Sequence, residues 1–123
     1  MRVLIVDDEV LLLRSLRRRL VRAGHHVMIA SNGREALEAL AEADFDVIVT
    51  DVRMPEMNGL ELARRLSRLQ PSLPLIFMSG HADTFDRELL EVRPIAVLEK
   101  PLDEAHLFRA IDSLSRSDVV ATH

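Results

Sequence analysis

The opening stretch Met1-Arg-Val-Leu-Ile-Val-Asp-Asp-Glu9 decides how the rest of the chain is read. Its apolar run 3–6 has the length and continuity of a strand covered on both faces, and it stops abruptly at three carboxylates. The runs 27–30, 47–50, 75–78 and 95–98 end in the same way, the last three just ahead of Asp51, Ser79-Gly80 and Lys100-Pro101. Segments with apolar residues at helical spacing separate the runs, which predicts a strand–helix unit repeated five times.

Each intervening segment has its own helix signals. Leu12, Leu16, Leu20 and Ala23 share one face of the first helix, and Gly24 closes it. Asn32-Gly-Arg-Glu35 has capping-box spacing, with Asn in place of Ser or Thr, and opens a second helix that buries Ala36, Leu37 and Leu40. The third carries Leu62, Leu66 and Leu69 to the core and ends before Pro71. The fourth, 84–92, is short and stopped by Pro94, and the fifth follows an Asp103 cap, aligning Leu107, Ile111 and Leu114 with Phe108 beside them. The runs 27–30 and 95–98 are the weaker strands, as the edges of a sheet would be. Together these signals predict an α/β, flavodoxin-like (βα)5 three-layer sandwich whose parallel five-stranded sheet has the order 2-1-3-4-5. The domain is expected to span residues 1–116, leaving 117–123 as a short C-terminal tail, disordered or loosely docked.

Composition bounds the function. At 123 residues the chain is one domain with room for an ordinary core, and 48% apolar against 29% charged residues is a globular balance. The absence of Cys excludes a disulfide framework, a thiol nucleophile and a Cys-ligated zinc site. A net charge of −4 with no Trp or Tyr offers neither a basic field nor a stacking platform, which argues against direct nucleic-acid binding. No apolar run approaches membrane-spanning length, so the expected location is cytoplasmic with no membrane contact.

In an open parallel sheet the ligand site lies beyond the carboxyl ends of the central strands. Asp7, Asp8 and Asp51 then converge, and three carboxylates so close repel one another unless one takes a proton or a hard divalent cation neutralises them. An oxygen-only donor set suits Mg²⁺, with Mn²⁺ as a substitute. Lys100 adds a cationic point and Ser79 a hydroxyl donor, a combination suited to phosphoryl transfer with Asp51 as the covalent acceptor. Singly, an Asp after a strand is usually a turn former and Ser-Gly or Lys-Pro an ordinary loop dipeptide. All four at the proper strand ends of one sheet are better explained by a site.

The residues Asp7-Asp8-Glu9, Asp51-Val-Arg-Met54-Pro55-Glu-Met-Asn-Gly59, Ser79-Gly80-His81 and Lys100-Pro101 resemble the receiver domain of bacterial two-component response regulators, chemotaxis-regulator-like, over about residues 1–116. The resemblance implies that Asp51 accepts a phosphoryl group from a histidine kinase or phosphotransfer domain. It implies that Asp8, Asp51 and the backbone carbonyl of Arg53 bind Mg²⁺, with Asp7 supporting the ion through water. Lys100 would contact the phosphoryl group, Ser79 would move to hydrogen-bond it, and the bond before Pro101 would be cis. The sequence departs from the pattern at Val97, where the family commonly has an aromatic rotamer switch, and at Arg93-Pro94-Ile95, where Gly-Ala is usual. A valine cannot swing a ring, so output is expected through backbone shifts around residues 79–85.

Arg53 and His81 are expected at the mouth of the site, setting the lifetime of the phosphate rather than its formation. On the first helix Leu11 projects outward among Arg14, Arg18 and Arg22 and is the candidate docking point for the kinase. The output partner is unnamed by the sequence, a further domain or a second copy being the candidates. Two rival chemistries fit less well. An aspartyl-phosphate phosphohydrolase needs an acid two residues after its nucleophile, where Arg53 stands. A flavodoxin-type cofactor binder needs a glycine- and hydroxyl-rich loop where Asp7-Asp8-Glu9 would repel phosphate. A receiver-like interaction module not regulated by phosphorylation is the remaining alternative.

Overall fold

The structure, a computed structural model, describes residues 1–54, 56–80 and 87–121, with side chains through residue 114. Its elements alternate along the chain: β1 (Arg2–Val6), α1 (Val10–Arg22), β2 (His26–Ala30), α2 (Gly33–Glu42), β3 (Val47–Asp51), α3 (Gly59–Leu69), β4 (Leu75–Ser79), α4 (Arg87–Glu91), β5 (Ala96–Glu99) and α5 (Glu104–Ala121). The strands form one sheet in the order β2-β1-β3-β4-β5, every neighbouring pair parallel. This is the predicted flavodoxin-like topology.

Period-two alternation divides each central strand between two cores. Leu4, Val6, Ile48 and Phe77 face the layer of α2, α3 and α4, where Ala36, Leu62, Leu66 and Leu89 meet them. Val3, Ile5, Val47, Val49, Ile76 and Met78 face Leu13, Leu16 and Leu20 of α1 and Leu107 and Ile111 of α5. Strands β3 and β4 are buried along their length and β1 beyond Arg2, whereas β2 and β5 are mostly half-buried or exposed. That is why the apolar runs 27–30 and 95–98 read as the weaker ones.

Helix ends follow the local code. Asn32 and Asn58 Oδ1 each accept the backbone N–H three residues on, from Glu35 and Glu61 at 2.8 Å. The Glu35 carboxylate completes the box one residue early, accepting the Ser31 N–H and hydroxyl at 2.7 Å. Gly24 ends α1 at φ 98°, a left-handed turn in which the His25 N–H reaches Leu20 O and the Gly24 N–H reaches Val21 O.

Three expectations are corrected. The buried stripe of α1 runs through Leu13, Leu16 and Leu20; Leu12 is only half-buried, and Ala23 is the exposed C-cap, because the face is rotated one residue from the predicted one. Leu69, predicted in the core, is 69% exposed at the last position of α3. Helical spacing gives a side chain's direction, not how far the neighbouring layer extends. β5 begins at Ala96 rather than Ile95, which is the residue before the ladder and already donates to Leu75 O. The fifth helix runs to Ala121, with no Gly or Pro between Glu104 and Ala121 to stop it. Residues 84–86 of the fourth predicted helix lie outside the described residues.

Candidate functional site

Register brings the acidic residues together. Val6 pairs with Thr50, so the next residue of each strand, Asp7 and Asp51, emerges side by side at the carboxyl edge of the sheet. Asp7 is 0% exposed and Asp51 6%, while Asp8 faces solvent. One carboxylate oxygen from each of Asp7, Asp8 and Asp51 lies within 4.8 Å of the others. The end of β3 is further shaped by Gly59: a Cβ there would fall 2.0 Å from the carbonyl oxygen of Asp51, so only glycine lets the start of α3 press against the acceptor strand. The Gly59 N–H donates to Val52 O at 2.8 Å and fixes that approach.

Lys100 arrives from the far side of the sheet. Its backbone N–H donates to Ser79 O at 2.8 Å, and the following bond to Pro101 is cis. Its ammonium meets Asp7 Oδ2 at 2.9 Å, Asp51 Oδ2 at 3.3 Å and Glu9 Oε1 at 3.4 Å. Ser79 is fully buried at the end of β4, in register with Glu99 of β5. The Asp7 carboxylate is oriented by the Glu9 N–H, 2.9 Å from its Oδ1, and the Asp51 carboxylate accepts the backbone N–H of Arg53.

Charge follows from this packing. Burial pushes the Asp7 and Asp51 carboxyls above the ordinary carboxylate range, and the charge of Asp7 raises Asp51 further, while Lys100 pulls both back only in part. For Lys100 burial alone would favour the neutral amine, but the hydrogen bond and charge of Asp7, then those of Asp51, outweigh it and hold the ammonium well above its ordinary value. Three carboxylates, Asp7, Asp51 and Glu9, thus share the Lys100 ammonium, with the Asp8 carboxylate close to the first two.

Most sequence-predicted positions gather here. Asp7, Asp8, Asp51, Lys100, Ser79 and the backbone of Arg53 belong to one edge of the sheet, and Pro101 carries the cis bond. The exposed Arg53 side chain lines an open hollow of about 400 Å³ with Asp8, Met54 and Asn58. Val97 lies apart, half-buried on β5 opposite Phe77 and packed on the α4 side of the core. Leu11 is 82% exposed on α1. Pro55 and His81 lie outside the described residues, as do the positions 81–85 expected to carry output. Glu9 belongs to the acidic run, yet sequence reasoning assigns it no role. The available signal is its type: a helix N-cap favours Ser, Thr, Asp or Asn, and a glutamate there invites another explanation.

Comparison with known proteins gives a consistent picture. The sequence profile of the Response regulator receiver domain matches residues 3–112. The Response regulator receiver protein CpdR of Brucella abortus is 36% identical over 114 residues, covering 92% of this chain and 95% of its own. The Transcriptional regulatory protein GlrR of Escherichia coli K12 is 33% identical over 121 residues, 98% of this chain but only 27% of its own, so the present chain spans about a quarter of that relative. A response regulator receiver domain protein from Clostridium thermocellum superposes with a TM-score of 0.87 at 28% identity, covering 97% of this chain and 98% of that one.

Proposed function

Because the chain belongs to the response regulator receiver domain family, a signalling family, we propose that it is a phosphorylation-dependent switch of a two-component system with Asp51 as the phosphoacceptor. The observation that carries this reading is the setting of the Asp51 carboxylate, with the Lys100 ammonium 3.3 Å away and the Asp7 and Asp8 carboxylates within 4.8 Å.

The donor set fits a hard divalent cation, Mg²⁺ or Mn²⁺: three carboxylates converge with no nitrogen or sulfur among them. Asp8, Asp51 and the Arg53 carbonyl would hold it, with Asp7 behind them. Bound there, the cation supplies Lewis-acid stabilisation of the transferring group's negative charge. Asp51 attacks phosphorus through a carboxylate oxygen, so an O–P bond forms as the N–P bond of a phosphohistidine breaks; the imidazole keeps the electron pair and takes a proton. Lys100 binds a phosphoryl oxygen as a point charge, and the Ser79 hydroxyl turns to donate to another. Water attack later returns Asp51 and phosphate, both halves catalysed by the receiver itself, with Arg53 and His81 setting the lifetime.

The donor is a histidine kinase or phosphotransfer domain that docks on α1 through Leu11. Output passes to a partner protein, a further domain or a second copy, through backbone shifts around residues 79–85 rather than an aromatic swing at Val97. No helix among the described residues is long and apolar enough to cross a membrane. Intact mass after incubation with acetyl phosphate and Mg²⁺ tests the reading. One phosphoryl adduct, lost in Asp51→Asn and with EDTA, is expected. A folded, Mg²⁺-binding protein that takes no adduct from acetyl phosphate or from a kinase would instead be an interaction module.

A further inference from the structure

Glu9 occupies the N-cap of α1 without capping it. Its backbone is extended at φ −85° and ψ 96°, and its side chain takes no hydrogen bond from the first turn, in contrast to Asn32 on α2 and Asn58 on α3. A glutamate carboxylate sits one methylene too far from its own backbone to serve as these shorter side chains do. Glu9 faces the carboxylate site instead: its N–H orients Asp7, and its Oε1 lies 3.4 Å from Lys100 Nζ.

An ammonium has three N–H donors. Those of Lys100 face three carboxylates, Asp7 at 2.9 Å, Asp51 at 3.3 Å and Glu9 at 3.4 Å. A phosphoryl group on Asp51 takes up that carboxylate's own charge and brings new oxygens carrying close to two negative charges; Lys100 meets the first with the donor that Asp51 gives up, and a second only by releasing one of its other two partners. The partners differ in what release leaves behind. Asp7, with 0% side-chain exposure, would become an unpaired charge out of reach of water, which is strongly unfavourable. Glu9, 64% exposed, turns into solvent and loses little.

Building on the reading of Asp51 as phosphoacceptor, we propose that Glu9 is a positioning residue, a placeholder that occupies the third donor of Lys100 in the resting protein and yields it to the second phosphoryl oxygen. Release of Glu9 and repulsion from its charge both disfavour the phosphorylated state. Removing the contact therefore shifts the switch toward that state, and the residue sets how readily the domain is switched on.

The test is a titration with beryllofluoride, a phosphoryl mimic, followed by ¹⁹F NMR at saturating Mg²⁺ and low ionic strength. Mg²⁺ affinity is measured separately, and thermal melts verify each fold. Glu9→Gln is expected to bind the mimic about two- to fivefold more tightly, the range of an exposed ion pair, with the gain shrinking as salt rises. Glu9→Asp separates contact from charge: it keeps the acid at the helix N-terminus and caps better, but falls short of Lys100. It too is expected to bind more tightly than the native protein. Unchanged or weaker binding by Glu9→Gln overturns the proposal, as does a Glu9→Asp protein that titrates like the native one. A native protein that takes up no beryllofluoride at all overturns the reading of Asp51 as well.

Discussion

The two ends of the sheet are built from the same five strands and carry opposite amounts of chemistry. At the carboxyl end Asp7, Asp51 and Lys100 interlock in a site mostly shut off from water, with Asp8 and Glu9 at its rim. At the amino end the polar contacts are isolated and largely exposed: the Arg2 N–H on Asp46 Oδ2 at 2.7 Å, and the N-terminal ammonium on His25 Nδ1 at 3.2 Å. A shallow hollow of about 470 Å³ there is lined by Met1, Phe45, Asp46 and Leu114 among others, with no cluster of charges. The contrast follows from parallel pairing. All five strands deliver their following residue to one edge, so side chains remote in sequence meet there, while the other edge receives only the returns from the helices.

The largest effects should come from breaking the carboxyl end. Gly59→Ala drives a Cβ to within 2.0 Å of Asp51 O, so the start of α3 must move away from β3. We expect a loss of about 3 kcal/mol in denaturant unfolding and a matching loss of phosphorylation. Stability and phosphorylation that both persist would mean the two elements separate freely.

Asp51→Asn should remove the phosphoryl adduct, a drop of about a hundredfold or more in intact-mass yield. It also tests the charge of the site. Folding raises the Asp51 carboxyl above its ordinary value, chiefly by burial, so the metal-free fold is best stabilised below the unfolded value and loses stability as pH rises through the folded one. Asparagine removes that loss. The variant should therefore melt higher than the native protein at pH 7 without metal and gain less from added Mg²⁺; a lower metal-free Tm would contradict this.

A smaller effect is expected beside the site. Leu11→Glu replaces the most exposed apolar residue of α1 with a charge and should slow phosphotransfer from the kinase about tenfold, while the rate with acetyl phosphate stays the same. Equal slowing with both donors would place the defect in the chemistry rather than the docking.

The smallest effect belongs to the amino end. Burial, followed by the N-terminal ammonium, lowers His25 below the usual histidine value against a weaker pull from Asp112. The neutral ring is favoured in the fold, so its contribution is present above about pH 6.5 and is lost as pH falls through the lowered value. The group is solvent-screened, and the change should stay under about 1 kcal/mol. His25→Gln should flatten the Tm–pH curve between about pH 7 and 5; an unaltered slope would assign the drop to other groups.

Much of this architecture was legible in the residues. Runs such as 3–6 and 75–78 are apolar because neighbours cover both faces, and local rules place Asn32, Asn58 and Gly24 at helix ends where the structure has them. Leu69 and the face of α1 were misread, since periodicity specifies an angle about the helix axis and not the reach of the next layer.

The order of elements, the edge strands and the meeting of Asp7, Asp8 and Asp51 follow from short-range pattern plus the rule that parallel strands share a carboxyl edge. The sharing of Lys100 among three carboxylates does not. Glu9 and Lys100 are 91 residues apart, and nothing in either neighbourhood announces the contact. It arises because burial of Asp7 and Asp51 demands a cation, the backbone bond from Lys100 to Ser79 O holds one at their edge of the sheet, and the third donor of that ammonium falls within reach of a glutamate whose own helix has no use for it. Electrostatic partnership of this kind depends on distance and desolvation in three dimensions, quantities that a linear pattern does not carry.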